Sequence, residues 1–92
     1  MAWVYQSGSM GEAHIRIAVV DEPGMADLCV YLVDSIGMAS GDKYWFMDSH
    51  KESARTWVYV TGRGMSQVDV CFVKSRGLAG WQHQHPMQGK FR

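Results

Sequence analysis

Short apolar segments alternate with polar linkers along most of this chain. The segments are rich in β-branched and aromatic side chains, a composition typical of strands rather than helices. They are Trp3–Ser7, Ile15–Val20, Leu28–Val33, Tyr44–Met47, Trp57–Val60 and Val70–Val73. Both faces of segments such as Val30–Val33 are apolar, so we expect both faces to be covered. The first segment is more polar and is expected at a sheet edge.

The linkers repeat with a period of about 13 residues, and such self-similarity predicts a repeat architecture. Each linker ends in a small residue: Ala13, Ala26, Ala39, Ser53, Ser66 and Ala79. An extra residue occurs only near Ser40–Asp42, which we interpret as a loop insertion. These observations predict six repeats, all built on the same strand-and-turn unit.

Two further positions of the repeat are informative. Two places before the small residue stand Gly11, Gly24, Gly37, Lys51, Gly64 and Gly77. Because glycine adopts positive φ without steric cost, these five glycines predict a sharp turn of that kind in each linker. One place before the small residue, Met25, Met38, Met65 and Leu78 are expected to pack over the core. The Asp and Ser residues upstream, such as Asp34-Ser35, are interpreted as turn-forming.

The linker length restricts the fold. Linkers of about seven residues are too long for two-residue hairpins and too short for helical crossovers. We therefore predict an all-β domain in which successive short strands swing across one another, with a small β-solenoid as the alternative. Residues 1–81 are assigned to this single repeat domain, with Trp81 closing its core. Residues 82–92 are assigned to a polar C-terminal tail, expected to be mobile.

Two copies of the repeat carry a family resemblance. ADLCVYLVDSIGMA (Ala26–Ala39) and VDVCFVKSRGLAGW (Val68–Trp81) are similar to segments of the septoil-knot domain family. Members are small bacterial repeat proteins whose backbone resembles a seven-crossing torus knot. The resemblance implies a deeply knotted domain with no established activity. The chain departs from the pattern at Ala54-Arg55, Thr61-Gly62 and Lys74.

Composition restricts location and partners. Nine basic and nine acidic residues give a net charge of zero, so no general attraction to nucleic acid or to anionic membranes is expected. No apolar run approaches the length of a membrane-spanning helix, and no signal-peptide pattern is present. The two cysteines, Cys29 and Cys71, do not form a CxxC pair and are interpreted as reduced thiols. The predicted location is the cytoplasm, and no oligomeric state is predicted.

Several residues are candidates for chemistry. His83 and His85 lie two positions apart and could hold a metal only with further ligands. The side chains considered as those ligands are His14, His50, Cys29 and Cys71. Asp48-Ser49-His50 contains the residue types of a hydrolase triad, but neighbours in sequence rarely face one another. We assign no catalytic, cofactor-binding or metal-binding residue.

Aromatic and basic residues in the second half of the chain are candidates for a nucleic-acid platform. They are Trp57, Tyr59 and Phe72 with Arg55, Arg63, Lys74 and Arg76. Stacking on bases needs exposed rings, and these rings are expected in the core instead. The predicted function is therefore that of a rigid, kinetically stable, non-enzymatic protein that binds another protein. The alternative is a minor enzyme or metal-binding protein that uses the His and Asp residues.

Overall fold

A computed structural model describes residues 1–92 and contains seven β-strands. They are β1 (Ala2–Gln6), β2 (Ile15–Val19), β3 (Leu28–Leu32), β4 (Tyr44–Met47), β5 (Thr56–Val60), β6 (Val68–Phe72) and β7 (Gly80–Trp81). The only helical elements are three-residue 3₁₀ turns at Pro23–Met25, Ile36–Met38 and Arg76–Leu78. The all-β prediction is confirmed, and each of the six predicted strands forms. No helix has the length and apolarity needed to span a membrane.

Six of the strands form a closed parallel barrel. Their order is β4-β1-β5-β2-β6-β3, and β3 pairs with β4 to close the ring. Each pair among these six strands is parallel. The solenoid alternative is therefore wrong. The assignment of the first strand to an edge is also wrong, because β1 pairs with β4 on one side and β5 on the other.

Strands that follow one another in the chain are mostly not neighbours in the barrel. The linker from β1 to β2 crosses β5, and it is hydrogen-bonded to β5 at both ends, through Ser7 N–H to Val58 O and His14 N–H to Trp57 O. The linkers β2–β3, β4–β5 and β5–β6 cross β6, β1 and β2 in the same way. Each of these linkers therefore covers the outer face of the strand that it crosses.

The barrel interior is filled by alternate residues of the strands. The buried cluster consists of Ala2, Val4, Ile15, Ile17, Leu28, Val30, Trp45, Val58, Val68, Val70 and Phe91. Burial of each large aliphatic side chain contributes about 1.5–3 kcal/mol, so this interior is the main source of stability. A second cluster of Val20, Ala26, Cys29 and Cys71 lies outside the barrel wall, beneath the linker from β2 to β3.

The repeated glycines do not adopt the conformation predicted for them. Positive φ occurs only at Gly41, Gly80 and Gly89, none of which is in the repeat register. The linker glycine Gly37 lies in a 3₁₀ turn, which uses negative φ, and a Cβ added there would meet no atom within 4 Å. The turn bonds run between backbone atoms, and Ser35 makes no side-chain capping bond.

The apolar residues before each small residue do not pack over the core. Met25, Met38, Met65 and Leu78 are 46%, 47%, 56% and 59% exposed. The linkers lie outside the barrel wall, and small side chains such as Ala26 and Ala39 fill the narrow space against it. The residue before each of them therefore points to solvent.

The C-terminal segment docks back onto the barrel. Phe91 is fully buried in the core, and Met87 and Trp81 pack against the same cluster. The carboxylate of Asp42 holds this segment, because its oxygens accept from Gly89 N–H, Phe91 N–H and Trp81 Nε1–H at 2.6, 3.1 and 2.9 Å. The division of the chain at residue 81 stays a prediction. The structure shows, however, that the segment beyond residue 81 is firmly attached to the barrel.

Candidate functional site

One side of the barrel carries exposed apolar side chains. The exposed residues of the linkers, Met65, Met25, Leu78 and Met38, belong to turns that lie against β2, β6, β3 and β4, respectively. Those four strands are consecutive in the barrel. Val19, Leu32 and Phe72, the last residues of β2, β3 and β6, are exposed as well. We call the surface formed by Met25, Met38, Met65 and Leu78 the apolar side.

The linkers on the opposite side are charged. The turns that cross β5 and β1 contain the exposed residues Glu12 and Glu52 at the corresponding position, and the exposed Lys51 stands directly before Glu52. Lys51 Nζ lies 3.7 Å from Glu12 Oε2, so the two linkers are joined by an exposed ion pair. Met10, in the linker that crosses β5, and Val60, at the end of β5, are exposed as well, so exposed apolar residues are concentrated on the apolar side but not restricted to it.

A cleft of about 490 Å³ opens at the amino ends of three neighbouring strands, β5, β2 and β6. Its polar side chains include His14, Arg55 and Gln67, which lie directly before β2, β5 and β6. The docked C-terminal segment supplies Lys90 and Arg92 from the other side. No acidic side chain lines this cleft.

Three polar side chains each add one hydrogen bond to the backbone pairing between neighbouring barrel strands. His14 Nδ1 accepts from Trp57 N–H, Gln67 Oε1 from Arg16 N–H and Asp27 Oδ2 from Asp69 N–H, each at 2.9 Å. In each case the backbone N–H of the same residue donates to the carbonyl of that same partner at 2.8 Å. Each side chain thus replaces a backbone carbonyl beyond the start of the strand, which fixes its orientation.

His83 and His85 converge on Asp27. His83 Nε2 lies 2.8 Å from Asp27 Oδ1, and His85 Nε2 lies 3.5 Å from Oδ2. The Gln84 carbonyl at Nδ1 raises the pKa of His83 above its usual value, and Asp27 adds to the effect. These side chains do not form a group with the geometry of a metal site, and Asp27 is hydrogen-bonded to His83 and to Asp69 N–H.

Asp48, Ser49 and His50 are not arranged as a triad. Asp48 Oδ1 accepts from the backbone N–H of His50 at 2.9 Å, and Oδ2 accepts from Trp3 Nε1–H at 2.7 Å. These bonds, of which the one from His50 N–H is the strongest influence, lower the pKa of Asp48. The carboxylate therefore closes a turn, as expected from the sequence, while Ser49 makes no side-chain hydrogen bond with it.

The cysteines and the remaining histidines do not meet. Cys29 and Cys71 are register partners on β3 and β6, and both are buried free thiols. Burial raises the pKa of each thiol, which disfavours the reactive thiolate. His14 stacks on Trp57 and His50 contacts Asp48, so neither histidine joins the cysteines.

The candidate rings for a nucleic-acid platform lie outside the buried core. Trp57 and Tyr59 point outward from β5 and are half-buried on the outer wall. Phe72 has the inward register of Val70 but stands at the last position of β6, where its ring is exposed and meets Trp45 edge-on, with centroids 5.8 Å apart. The basic residues have separate partners: Arg63 pairs with Asp69, and Arg76 lies over two tyrosine rings. These basic side chains are therefore engaged by separate groups of the protein.

Four residues of structural or chemical interest were missed in the sequence: Asp42, Gln67, Lys90 and Arg92. In the sequence, Asp42 stands out only as part of a loop insertion, and Lys90 and Arg92 lie in the segment assigned to a tail. A signal for Gln67 does exist, since it stands directly after the small residue of its repeat, as His14 and Asp27 do.

A closed barrel of six short parallel strands, wrapped by its own linkers, defines the class of this protein as a small all-β domain. The family model described as the 7(1) septoil knot domain matches residues 1–82, and the chain belongs to that family. No curated protein and no solved structure shows a significant match. Most of the C-terminal segment, including Lys90 and Arg92 of the cleft, lies beyond the matched residues.

Proposed function

We propose that this protein acts without catalysis, by binding another protein through its apolar side. The observation that carries the proposal is the exposure of Met25, Met38, Met65 and Leu78 over four consecutive strands. Exposed apolar side chains gathered on one part of a small domain are typical of protein interaction sites. Methionine suits such a site because its flexible, polarisable side chain adapts to the shape of a partner.

The closed barrel makes this surface rigid. Each linker that crosses a strand is bonded to it at both ends, so the exposed side chains project from a fixed frame. Rigid presentation reduces the conformational entropy lost on binding. We infer further that the chain is knotted as its family description implies, and that this cytoplasmic protein of bacterial origin has a long native lifetime.

The binding proposal is tested with two matched multiple variants. In the first, Met25, Met38, Met65 and Leu78 are each replaced by Gln; in the second, Glu12, Lys51 and Glu52 on the charged side are each replaced by Gln. Quantitative affinity isolation from host lysate should recover a partner with the wild type and the second variant but not with the first. The candidate is then purified, and its Kd for all three proteins is measured.

Equal recovery of partners by both variants, or no partner for the wild type, would overturn the proposal. Light scattering covers a different outcome. If the wild type is a dimer and the four-residue variant a monomer, the apolar side binds a second copy of this chain and not another protein.

The knotted topology is tested by the rate of unfolding. We expect an unfolding rate in water below about 10⁻⁵ s⁻¹, at the slow end of the range for small domains. The control is a variant with a protease site inserted after Gly64, in an exposed linker turn. Cleavage there removes the need to withdraw a threaded chain, so the nicked protein should unfold far faster. Rapid unfolding of the intact chain at low urea would contradict the knot.

The alternative, a minor enzyme or metal-binding protein, would use His83, His85 and Asp27, which lie near one another although their present contacts do not form a metal site. Thermal unfolding distinguishes it from the main proposal. A Tm that rises with zinc and falls with chelator would favour the alternative, whereas an unchanged Tm would favour protein binding.

A further inference from the structure

The cleft at the amino ends of β5, β2 and β6 has a lining that is unusual for a protein of zero net charge. Arg55, Lys90 and Arg92 all face it, and no acidic side chain does. None of these three cations takes part in an ion pair; the pairs formed by basic side chains involve other residues. Positive charge is therefore concentrated among the side chains of this cleft.

His14 presents a hydrogen-bond donor to its surroundings. Its Nδ1 faces the backbone N–H of Trp57 at 2.9 Å and must therefore be the accepting nitrogen. In the neutral ring the proton then resides on Nε2. The Trp57 side chain stacks on the imidazole, with ring centroids 5.5 Å apart, and so holds its plane. The free edge of His14 is thus an N–H group.

Gln67 is fixed in the same sense. Its Oε1 accepts from Arg16 N–H. Because the backbone N–H can only donate, the oxygen and not the NH₂ group of the Gln67 amide must face Arg16. The carboxamide NH₂ is left for the cleft. The remaining polar side chain, Thr56, directs its hydroxyl to the carbonyl of Phe91 at 3.4 Å. The cleft therefore offers donors from five side chains: His14, Arg55, Gln67, Lys90 and Arg92.

We propose that this cleft binds a small organic phosphate. Guanidinium, ammonium and N–H groups match the oxygens of a phosphate, and three cations suit a ligand with two or more negative charges. The volume of about 490 Å³ falls within the range of small-molecule sites, and Ile15 and Met87 give an apolar wall for the organic part. The proposal is independent of protein binding by the apolar side, since the two sites share no residue.

The test is calorimetric titration of the whole chain at low ionic strength with inorganic phosphate, pyrophosphate and adenosine monophosphate. We expect pyrophosphate and the nucleotide to bind more tightly than inorganic phosphate, with a Kd that rises with added salt. Arg55→Gln should weaken binding about tenfold, the effect of losing one charge-assisted hydrogen bond. Lys74→Gln, an exposed lysine outside the cleft, is the control and should change the Kd less than about twofold.

Gln67→Glu gives the sharpest comparison. The substitution keeps the oxygen that accepts from Arg16 N–H but replaces the NH₂ donor with a second, charged oxygen. The fold should persist, as judged by the urea midpoint, while binding of all three probes is lost. Gln6→Glu makes the same change of charge at the exposed end of β1 and should bind normally.

Three results would overturn the proposal. The first is no heat of binding for any probe. The second is equal weakening by Gln6→Glu or Lys74→Gln, which would show general electrostatic attraction. The third is tighter binding of a single-stranded oligonucleotide than of the nucleotide, with loss on Trp57→Ala, which would assign the surface to nucleic acid. Retained binding in a folded Gln67→Glu variant would contradict the assigned donor role.

Discussion

The rings of Trp45 and Phe91 lie 4.9 Å apart at 32°, and both side chains are fully buried. Trp45 comes from the middle of the chain and Phe91 from its last residues, so the contact ties the C-terminal segment into the interior of the barrel. Its backbone is held at the same place by Asp42. The segment is thus a structural part of the barrel, although most of it lies beyond the residues matched by the family model.

Replacement of Phe91 by Ala should therefore destabilise the protein. Loss of a buried phenyl ring lowers the free energy of unfolding by about 3–5 kcal/mol when the site does not collapse. Equilibrium urea unfolding followed by tryptophan fluorescence measures the change. Gln88→Ala, an exposed position in the same segment, should change it by less than about 0.5 kcal/mol. Equal midpoints for Phe91→Ala and wild type would show that the ring is not buried in solution.

Asp42→Asn should release the C-terminal segment. Both carboxylate oxygens accept N–H bonds, so an amide places its NH₂ group against a donor. Hydrogen bonds to charged groups contribute about 1.5–3 kcal/mol, and we expect a loss of that order. Hydrogen exchange of the Gly89 and Phe91 amides should accelerate in parallel. Asp34→Asn, at an exposed position, is the control; unchanged exchange in Asp42→Asn would contradict the role of this carboxylate.

The contacts of His83 should make stability depend on pH in one direction. Its pKa in the folded protein is raised above the usual 6.5 by the Gln84 carbonyl and by Asp27. The folded state then binds the proton more tightly than the unfolded state, so the stabilisation is complete below pH 6.5 and is lost as pH rises through the folded pKa. The urea midpoint of wild type should fall over this interval relative to that of His83→Gln. Parallel profiles for the two proteins would contradict the prediction.

Two glycines should respond oppositely to alanine. Gly37 has open space around its Cβ position and no positive φ, so Gly37→Ala should stabilise by about 0.4–1 kcal/mol through the unfolded state. Gly41 has φ of +57°, where a side chain costs about 1–2 kcal/mol, so Gly41→Ala should destabilise. Thermal unfolding of both variants provides the measurement. The same sign of change at both positions would contradict this account.

The strands were predictable because each is a short apolar run of β-branched and aromatic residues bounded by a recurring linker. The conformation of the linkers was not, since glycine at Gly24 or Gly37 permits positive φ without requiring it. Whether the side chains of Met25 and its equivalents point to solvent depends on which side of the linker faces the barrel. The closed topology determines that side. Closure itself depends on the pairing of β3 with β4, which follow one another in the chain, whereas every other pair in the ring joins strands from more distant parts of the sequence. The repeat pattern does not distinguish these two kinds of pairing.

The cleft was predictable only in part. The polar residue after the small residue is visible in the repeat at His14, Asp27 and Gln67. The side chain of this residue bonds to the backbone of a neighbouring strand, and the repeat period does not show which strand is the neighbour. Lys90 and Arg92 reach the cleft because Phe91 between them is buried. A single phenylalanine in a polar segment is a weak signal against the usual mobility of chain ends.

Closure of the barrel also limits how a partner can be recognised. Many small β-domains bind peptides by adding a strand to a free edge, where main-chain groups provide affinity with little dependence on sequence. Here each of the six barrel strands is paired on both sides. Recognition must then depend on side chains alone, and this ties specificity to the linker positions that differ among the repeats. The same closure leaves no barrel strand edge on which misfolded chains could assemble.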